Sequence, residues 1–317
     1  ITFVIIFLLN SARIFDKRPL PFVVPDHQVQ RQILTYFYYW YDLPKGTHSS
    51  SLTDFPSDSN TSYRNIDWFK KQLTDMEEAG IDTALVVYWS HFEPGYKIGL
   101  ENLLVAREQL LVEGKKPPKI GMFYDTGLLD RVKNKNFISR SGREVFYSPI
   151  KEFYDVISTE HRGLISGRPI VWLWASWFPF SYNQATFDHI YEQFQTDFGV
   201  KPYIVREASW NFAKKQGWFG EKIDYSKPIT TDDVYSWGAA LDGFRDSGGN
   251  IAAIGPGYDE RGLTSPDRSG RFKLRQNGEW YLNNFQKALD SGKPILVIET
   301  WNEFHEASDI AETRGYQ

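Results

Sequence analysis

The segment LVIETWNEFHEASDI, residues 296–310, sets Glu299, Asn302, Glu303, His305, Glu306 and Asp309 within eleven positions, behind an aliphatic run. Glycosidic cleavage generally uses two carboxyl groups, one protonated as acid and one ionised as base or nucleophile. Glu303 and Glu306 stand three apart, and on a helical turn their Cβ atoms would lie about 5–6 Å from each other. Repulsion at that range raises one pKa and leaves the other group ionised, which separates the two roles. A lone glutamate in such a place more often caps a helix start or forms a salt bridge, but a cluster at the tip of an apolar run points to chemistry. Asn302 would orient a carboxylate or a sugar hydroxyl, with loop capping as the plainer role. Glu299 lies deeper on the run and reads as structural. His305 and Asp309 are four apart, but the second histidine of H-E-x-x-H is missing and the chain has no cysteine, so metal catalysis is disfavoured and no cofactor is expected.

Such a tip needs a scaffold. Apolar runs recur at 33–40, 83–89, 119–125, 169–175, 202–208, 233–238, 250–257 and 294–301. Several are continuous rather than alternating, as expected of parallel strands covered on both faces. Helical patterns ending in glycine lie between many of them, at 64–80, 100–114, 183–199 and 279–292. Eight strands in this rhythm predict an α/β chain folded as a (β/α)8 TIM barrel in a single domain. A doubly wound open sheet is the alternative, and no G-x-G-x-x-G follows any run to support it. Long polar loops are expected at 42–64, 126–147 and 257–279.

In a TIM barrel the site lies at the C-terminal ends of the strands. Reading those tips in order selects Tyr39 and Trp40, Trp89 and His91, Asp125, Glu207, Trp237, Tyr258 and Asp259, and finally Asn302, Glu303, His305 and Glu306. The fourth tip offers only Trp174 and Trp177. Taken singly, His91 reads more readily as a hydrogen-bonded rim or core residue, and Asp125, Glu207 and Asp259 could equally brace loops. Acids and aromatics together suit a carbohydrate: rings stack on the C–H faces of sugars, and carboxylates bind hydroxyls or move protons. A phosphate ligand would call for more Arg, Lys and helix N-termini.

Bulk composition agrees. A net charge of −4 with no long Lys/Arg cluster gives no footprint for nucleic acid. Aromatics make up 16% of the 317 residues, eleven of them Trp, which serves either a heavily aromatic core or stacking platforms. The opening ITFVIIFLLNSA is too short to span a bilayer stably and suits the remnant of a secretory signal peptide (1–12), followed by a connector (13–31) and the barrel (32–317). The sequence reads as cut at both ends, with the last helix incomplete. Export to the periplasm or medium is the corresponding expectation.

Three segments carry a resemblance to a known family: YFYYWYD (36–42), IGPGYDERG (254–262), and EWYLNNFQKAL leading to ETWNEFHEASDI (279–310). Across most of the chain these resemble glycoside hydrolase family 99, the endo-α-mannosidases and endo-α-mannanases. The resemblance implies a glycoside hydrolase acting on an α-linked glycan. Glu303 would be the base on the sugar 2-hydroxyl and Glu306 the general acid/base, with retention through a 1,2-anhydro sugar. Phe304, Ala307 and Ser308 depart from the family's Trp, Gly and Thr, and the loop YDERGLTSPDRSGRF lacks its Arg-Pro-Trp continuation. Mannose specificity therefore does not carry over with the reaction. A non-catalytic carbohydrate-binding barrel and a transglycosylase using the same pair are the rival readings.

Overall fold

The computed structural model describes residues 29–217, 220–263 and 270–314. The expected leader and most of the connector lie outside these residues. Eight parallel strands form the barrel: β1 Gln32–Phe37, β2 Thr83–Tyr88, β3 Lys119–Tyr124, β4 Arg168–Leu173, β5 Tyr203–Glu207, β6 Asp233–Tyr235, β7 Ile251–Ile254 and β8 Ile295–Ile298. They follow one another in space in the order β7-β8-β1-β2-β3-β4-β5-β6, with short antiparallel additions at 164–165 and 245–246. The strand nearest the chain's start thus pairs with the last, Gln32 opposite Ile295. This is the TIM-barrel architecture expected from the rhythm of the sequence.

The ring is joined between β6 and β7 by a side chain. Asp233 accepts the backbone N–H of Asn250 (3.1 Å), that of Val234 (2.9 Å) and the hydroxyl of Tyr203 (3.1 Å). Burial drives its pKa upward while these bonds oppose the shift. Gly249 allows the close approach, since a Cβ there would meet Asp233 Oδ1 at 1.9 Å.

The outer helices are α1 Ile66–Glu78, α2 Tyr96–Val112, α3 Arg140–Val156, α4 Gln184–Phe198, the single turn α5 Ala239–Asp242, and α6 Glu279–Asp290. Side chains of Asn65, Ser139 and Asn183 cap α1, α3 and α4 by accepting first-turn N–H groups. Helix α3 corrects the expectation of a loop over 126–147, since it begins inside that stretch and contains Pro149. Among the described residues no α-helix stands between β5 and β6; a single 3-10 turn, Ala208–Trp210, leads into an antiparallel hairpin, Phe212–Gly217 with Gly220–Pro228. Among the described residues no helix is long and apolar enough to cross a membrane.

Inside the barrel the apolar runs fill the core with rings. Tyr36 packs on Phe123 (4.5 Å between centroids) and Trp172 on Tyr235 (4.8 Å), and Trp237 lies over Tyr36 at 5.3 Å. This aromatic floor closes the barrel beneath the C-terminal mouth.

Candidate active site

Beyond β8 the chain makes a compact loop from Thr300 to Ile310. Its neck is closed by Thr300 N–H to Ser308 O (2.7 Å) and by N–H bonds from Ile310 and Ala311 back to Trp301 O (3.0 and 2.8 Å). Asn302, fully buried, accepts the N–H of Tyr38 and donates to its carbonyl, both at 2.8 Å. That two-bond clasp sets the β8 tip in register with the β1 tip, so Asn302 positions the loop rather than facing a ligand.

The loop is a chain of turns rather than a helix, and Ala307 has φ +42°. The carboxylates of Glu303 and Glu306 are therefore not held together by helical spacing, as the sequence suggested, but by this closed loop. Glu303 Oε1 accepts both the backbone N–H and ring Nδ1 of His305, each at 3.0 Å. Burial opposes a charge on His305, but the Glu303 carboxylate, the negative field of Glu306 and the His48 carbonyl together lift its pKa above the ordinary value. With acceptors for its N–H groups, His305 is held toward the imidazolium form beside Glu303. Tyr41 stacks on His305 at 5.7 Å and donates its hydroxyl to Asn302 O (3.1 Å).

Glu306 is partly buried. Burial first, and then the charge of Glu303, push its pKa well above that of an ordinary glutamate; the Tyr258 hydroxyl pulls the other way. Asp125 belongs to the same field. It accepts Trp89 Nε1 (2.5 Å) and the Gly127 N–H (2.9 Å), and burial, with Glu303 adding to it, raises its pKa to about 6. Tyr38 lies where Glu303, Glu306 and Asp125 all act on its hydroxyl, whose pKa burial and those charges raise far above normal.

Trp40, Trp89 and Tyr258 join this cluster, whereas Trp237 lies on the aromatic floor against Tyr36, Phe123 and Trp174. Trp40 packs edge-on to Trp89 (6.2 Å) and stacks on His48 (5.0 Å), and Tyr258 donates to Glu260 Oε2 (2.7 Å) beside Glu306. Other expected residues stand elsewhere. Tyr39 is fully buried and donates to Tyr96 O (3.0 Å) on α2, because strand alternation turns it outward and Tyr38 inward. His91 is exposed against Phe92, with Nδ1 near Ser90 Oγ (3.1 Å). Asp259 is clamped by Arg261 (2.6 Å) and braces its loop, and Arg261 holds its pKa below the ordinary value. Glu207 accepts Ser209 N–H (2.7 Å) and Trp237 N–H (3.4 Å), so it shapes the β5 and β6 tips.

Glu299 is structural, as its depth implied. Its carboxylate accepts N–H groups of Gly238 and Ala240 at 3.0–3.3 Å, and burial raises its pKa to about 8. Asp309 faces Arg275 (3.1 Å) and so does not converge with His305. Among the described residues no group of three His, Asp or Glu is placed to hold a metal ion. His48 and Tyr38 are participants outside the selected site residues, although Tyr38 stands at the β1 tip. Tyr38 could have been found by its parity with Leu34 and Tyr36, since Tyr36 faces the barrel interior, but His48 lies in a loop whose path the sequence does not set.

A family profile described as a domain of unknown function (DUF5010) matches residues 26–317. The chain belongs to this family. No curated protein matches it. Among solved structures, this DUF5010 chain is similar to a GH99 endo-alpha-mannosidase from Bacteroides thetaiotaomicron, with TM-score 0.63 and 14% identity, covering 90% of this chain and 89% of that one. The same enzyme in complex with bis-tris-propane gives TM-score 0.64, 14% identity, and 90% and 88% coverage. A protein described as glycoside hydrolase-like gives 0.60, 10%, and 94% and 90%. The DUF5010 chain thus shares its barrel, nearly end to end, with glycoside hydrolase folds.

Proposed function

We propose that this protein is a retaining glycoside hydrolase acting on an α-linked polysaccharide or glycan, with Glu303 and Glu306 as its working pair. The observation that carries this reading is the unequal setting of two neighbouring carboxyl groups in one closed loop at the barrel mouth. Glu306, enclosed and facing the charge of Glu303, favours its protonated form, as a general acid must. Glu303 has Oε1 taken by His305, which leaves Oε2 for a substrate hydroxyl.

The chemistry then balances through two proton transfers in each of its two steps. Glu303 takes the proton of the sugar 2-hydroxyl as its oxygen attacks C1, and the C1–O bond to the leaving group breaks. The departing oxygen takes the proton of Glu306. Water next adds at C1 of the 1,2-anhydro sugar, giving its proton to Glu306, while Glu303 returns a proton to the 2-oxygen. Two inversions at C1 leave net retention. Trp40, Trp89 and Tyr38 would line the ring bound there. The barrel it shares with an endo-alpha-mannosidase makes α-mannosides one class for the first panel, beside α-glucans and sulfated α-glycans.

The test is activity of wild type, Glu303→Gln and Glu306→Gln on that panel, with product anomers followed by NMR. Cleavage with retention, lost in both variants, is expected. Inversion, or full rates in both variants, would defeat the assignment; binding without cleavage by wild type would favour the non-catalytic barrel.

A further inference from the structure

Beside the acid cluster, the β4 tip carries an aromatic surface that the catalytic reading leaves unused. Trp177 is 46% exposed, meets Trp174 edge-on at 5.3 Å, and stands at the end of a row running through Trp174 to Trp237 (6.0 Å) on the barrel floor. Exposure here is not a sign of a loose loop. Trp210 Nε1 donates to Trp174 O, Thr126 Oγ1 to Ala175 O (2.7 Å), and the buried Lys214 ammonium to both Ser176 O and Phe178 O. Ser176 N–H is taken by Ser209 Oγ at 2.7 Å. Side chains from the β3 tip and from the β5 loop and its hairpin thus tie down the backbone on either side of an indole left facing solvent.

The surface is continuous with the site. A Cβ placed on Gly127 would lie 2.9 Å from Asp125 Oδ1 and 3.5 Å from both Trp174 and Phe178, so only a glycine separates the aromatic row from a carboxylate that feels Glu303. It is also uncharged: residues 169–187 contain no Asp, Glu, Lys or Arg. A rigid, flat, neutral face beside a hydroxyl-binding acid cluster matches the C–H face of a pyranose.

We infer that Trp177, backed by Trp174, is a stacking platform for a neutral sugar unit of the glycan beyond the unit held at Glu303 and Glu306. This rests on the carbohydrate reading above and adds a subsite to it. The platform would give preference for chains over single units, because the extra ring gains contact without touching the reacting atoms.

Affinity electrophoresis of the full chain tests it. Gels contain, in turn, an α-mannan, an α-glucan and a sulfated α-glycan, and every protein carries Glu306→Gln so that the polymer persists. Retardation by at least one polymer is expected, with apparent affinity lowered about three- to tenfold by Trp177→Ala and largely kept by Trp177→Phe. Equal retardation with and without Trp177 overturns the platform and leaves the carbohydrate reading standing. No retardation in any gel overturns both. Matching melting curves confirm that the exposed substitution has not altered the fold.

Discussion

Two neighbouring loops at the barrel mouth each carry a close pair of acids, and they put them to opposite use. After β7, Asp259 is bound by Arg261 and Glu260 by Arg271 (2.7 Å); burial works against ionisation of Glu260, but Arg271 outweighs it, so both acids titrate below their ordinary values. After β8, Glu303 meets His305 and Glu306 meets Glu303, and Glu306 titrates high. The loops even touch, Asp259 N–H donating to Glu306 O at 2.7 Å. Acidic residue type at a strand tip does not tell these pairs apart. The partner does: a guanidinium makes an acid a permanent anion and a brace, whereas enclosure beside another carboxylate makes it a proton donor.

The largest consequence is in rate. Glu303→Gln or Glu306→Gln should lower kcat by about 10²–10⁴-fold, while Asp259→Asn, which removes a half-exposed ion pair, should cost less than about fivefold. Similar losses at all three positions, in steady-state assays on an active glycan, would erase the distinction.

Stability against pH should separate the loops next, because their signs differ. Groups raised on folding, Glu306 and also Glu299 at about 8, bind a proton more tightly in the native state. Their contribution is full in acid and is lost as pH rises from the ordinary glutamate range toward 8. Asp259 and Glu260, lowered on folding, contribute at neutral pH and lose that contribution as pH falls. Each raised group adds up to about 1.4 kcal/mol per pH unit of decline. Glu299→Gln, which keeps an oxygen for the Gly238 and Ala240 N–H groups, should flatten the fall in melting temperature between about pH 5 and pH 8. An unchanged slope would show that Glu299 is not the proton-binding group.

Carboxyl titration by NMR gives a direct reading of the same contrast. Arg261→Gln should bring Asp259 up toward its ordinary value while the high titration of Glu306 stays in place. A shift of both would mean that one field governs the two loops.

The smallest expected effect concerns the β8 loop's own backbone. Ala307 sits at φ +42°, a region that disfavours a Cβ. Ala307→Gly should relieve about 1 kcal/mol and raise the melting temperature by about 2 °C, with little change in rate. Differential scanning calorimetry would register it; a lower melting temperature would show that the turn is unstrained.

Much of this was legible in the sequence, for identifiable reasons. Runs such as ILVI and TALVVY are apolar without alternation, which only strands covered on both faces require, and their count gave the barrel. Helix α3 was hidden by Gly142 and Pro149, two residues that weaken any helical pattern, although packing against the barrel overrides them. The β5 hairpin was missed because its strands, FAKKQG and GEKIDYSKP, carry no apolar run and lie over a mostly exposed surface.

The residue types at the β8 tip, their place after an apolar strand, and hence the kind of chemistry available were determined by the sequence alone, since covalent order delivers them together wherever that strand goes. The tertiary structure decided which of two adjacent tyrosines faces the mouth, which acids acquire arginines, and that His305 and Glu306 close around Glu303. Those outcomes depend on contacts between residues far apart in the chain, such as Asn302 with Tyr38 and His305 with His48. Proton affinity follows from such contacts, because burial and nearby charge are properties of the assembled barrel rather than of any segment.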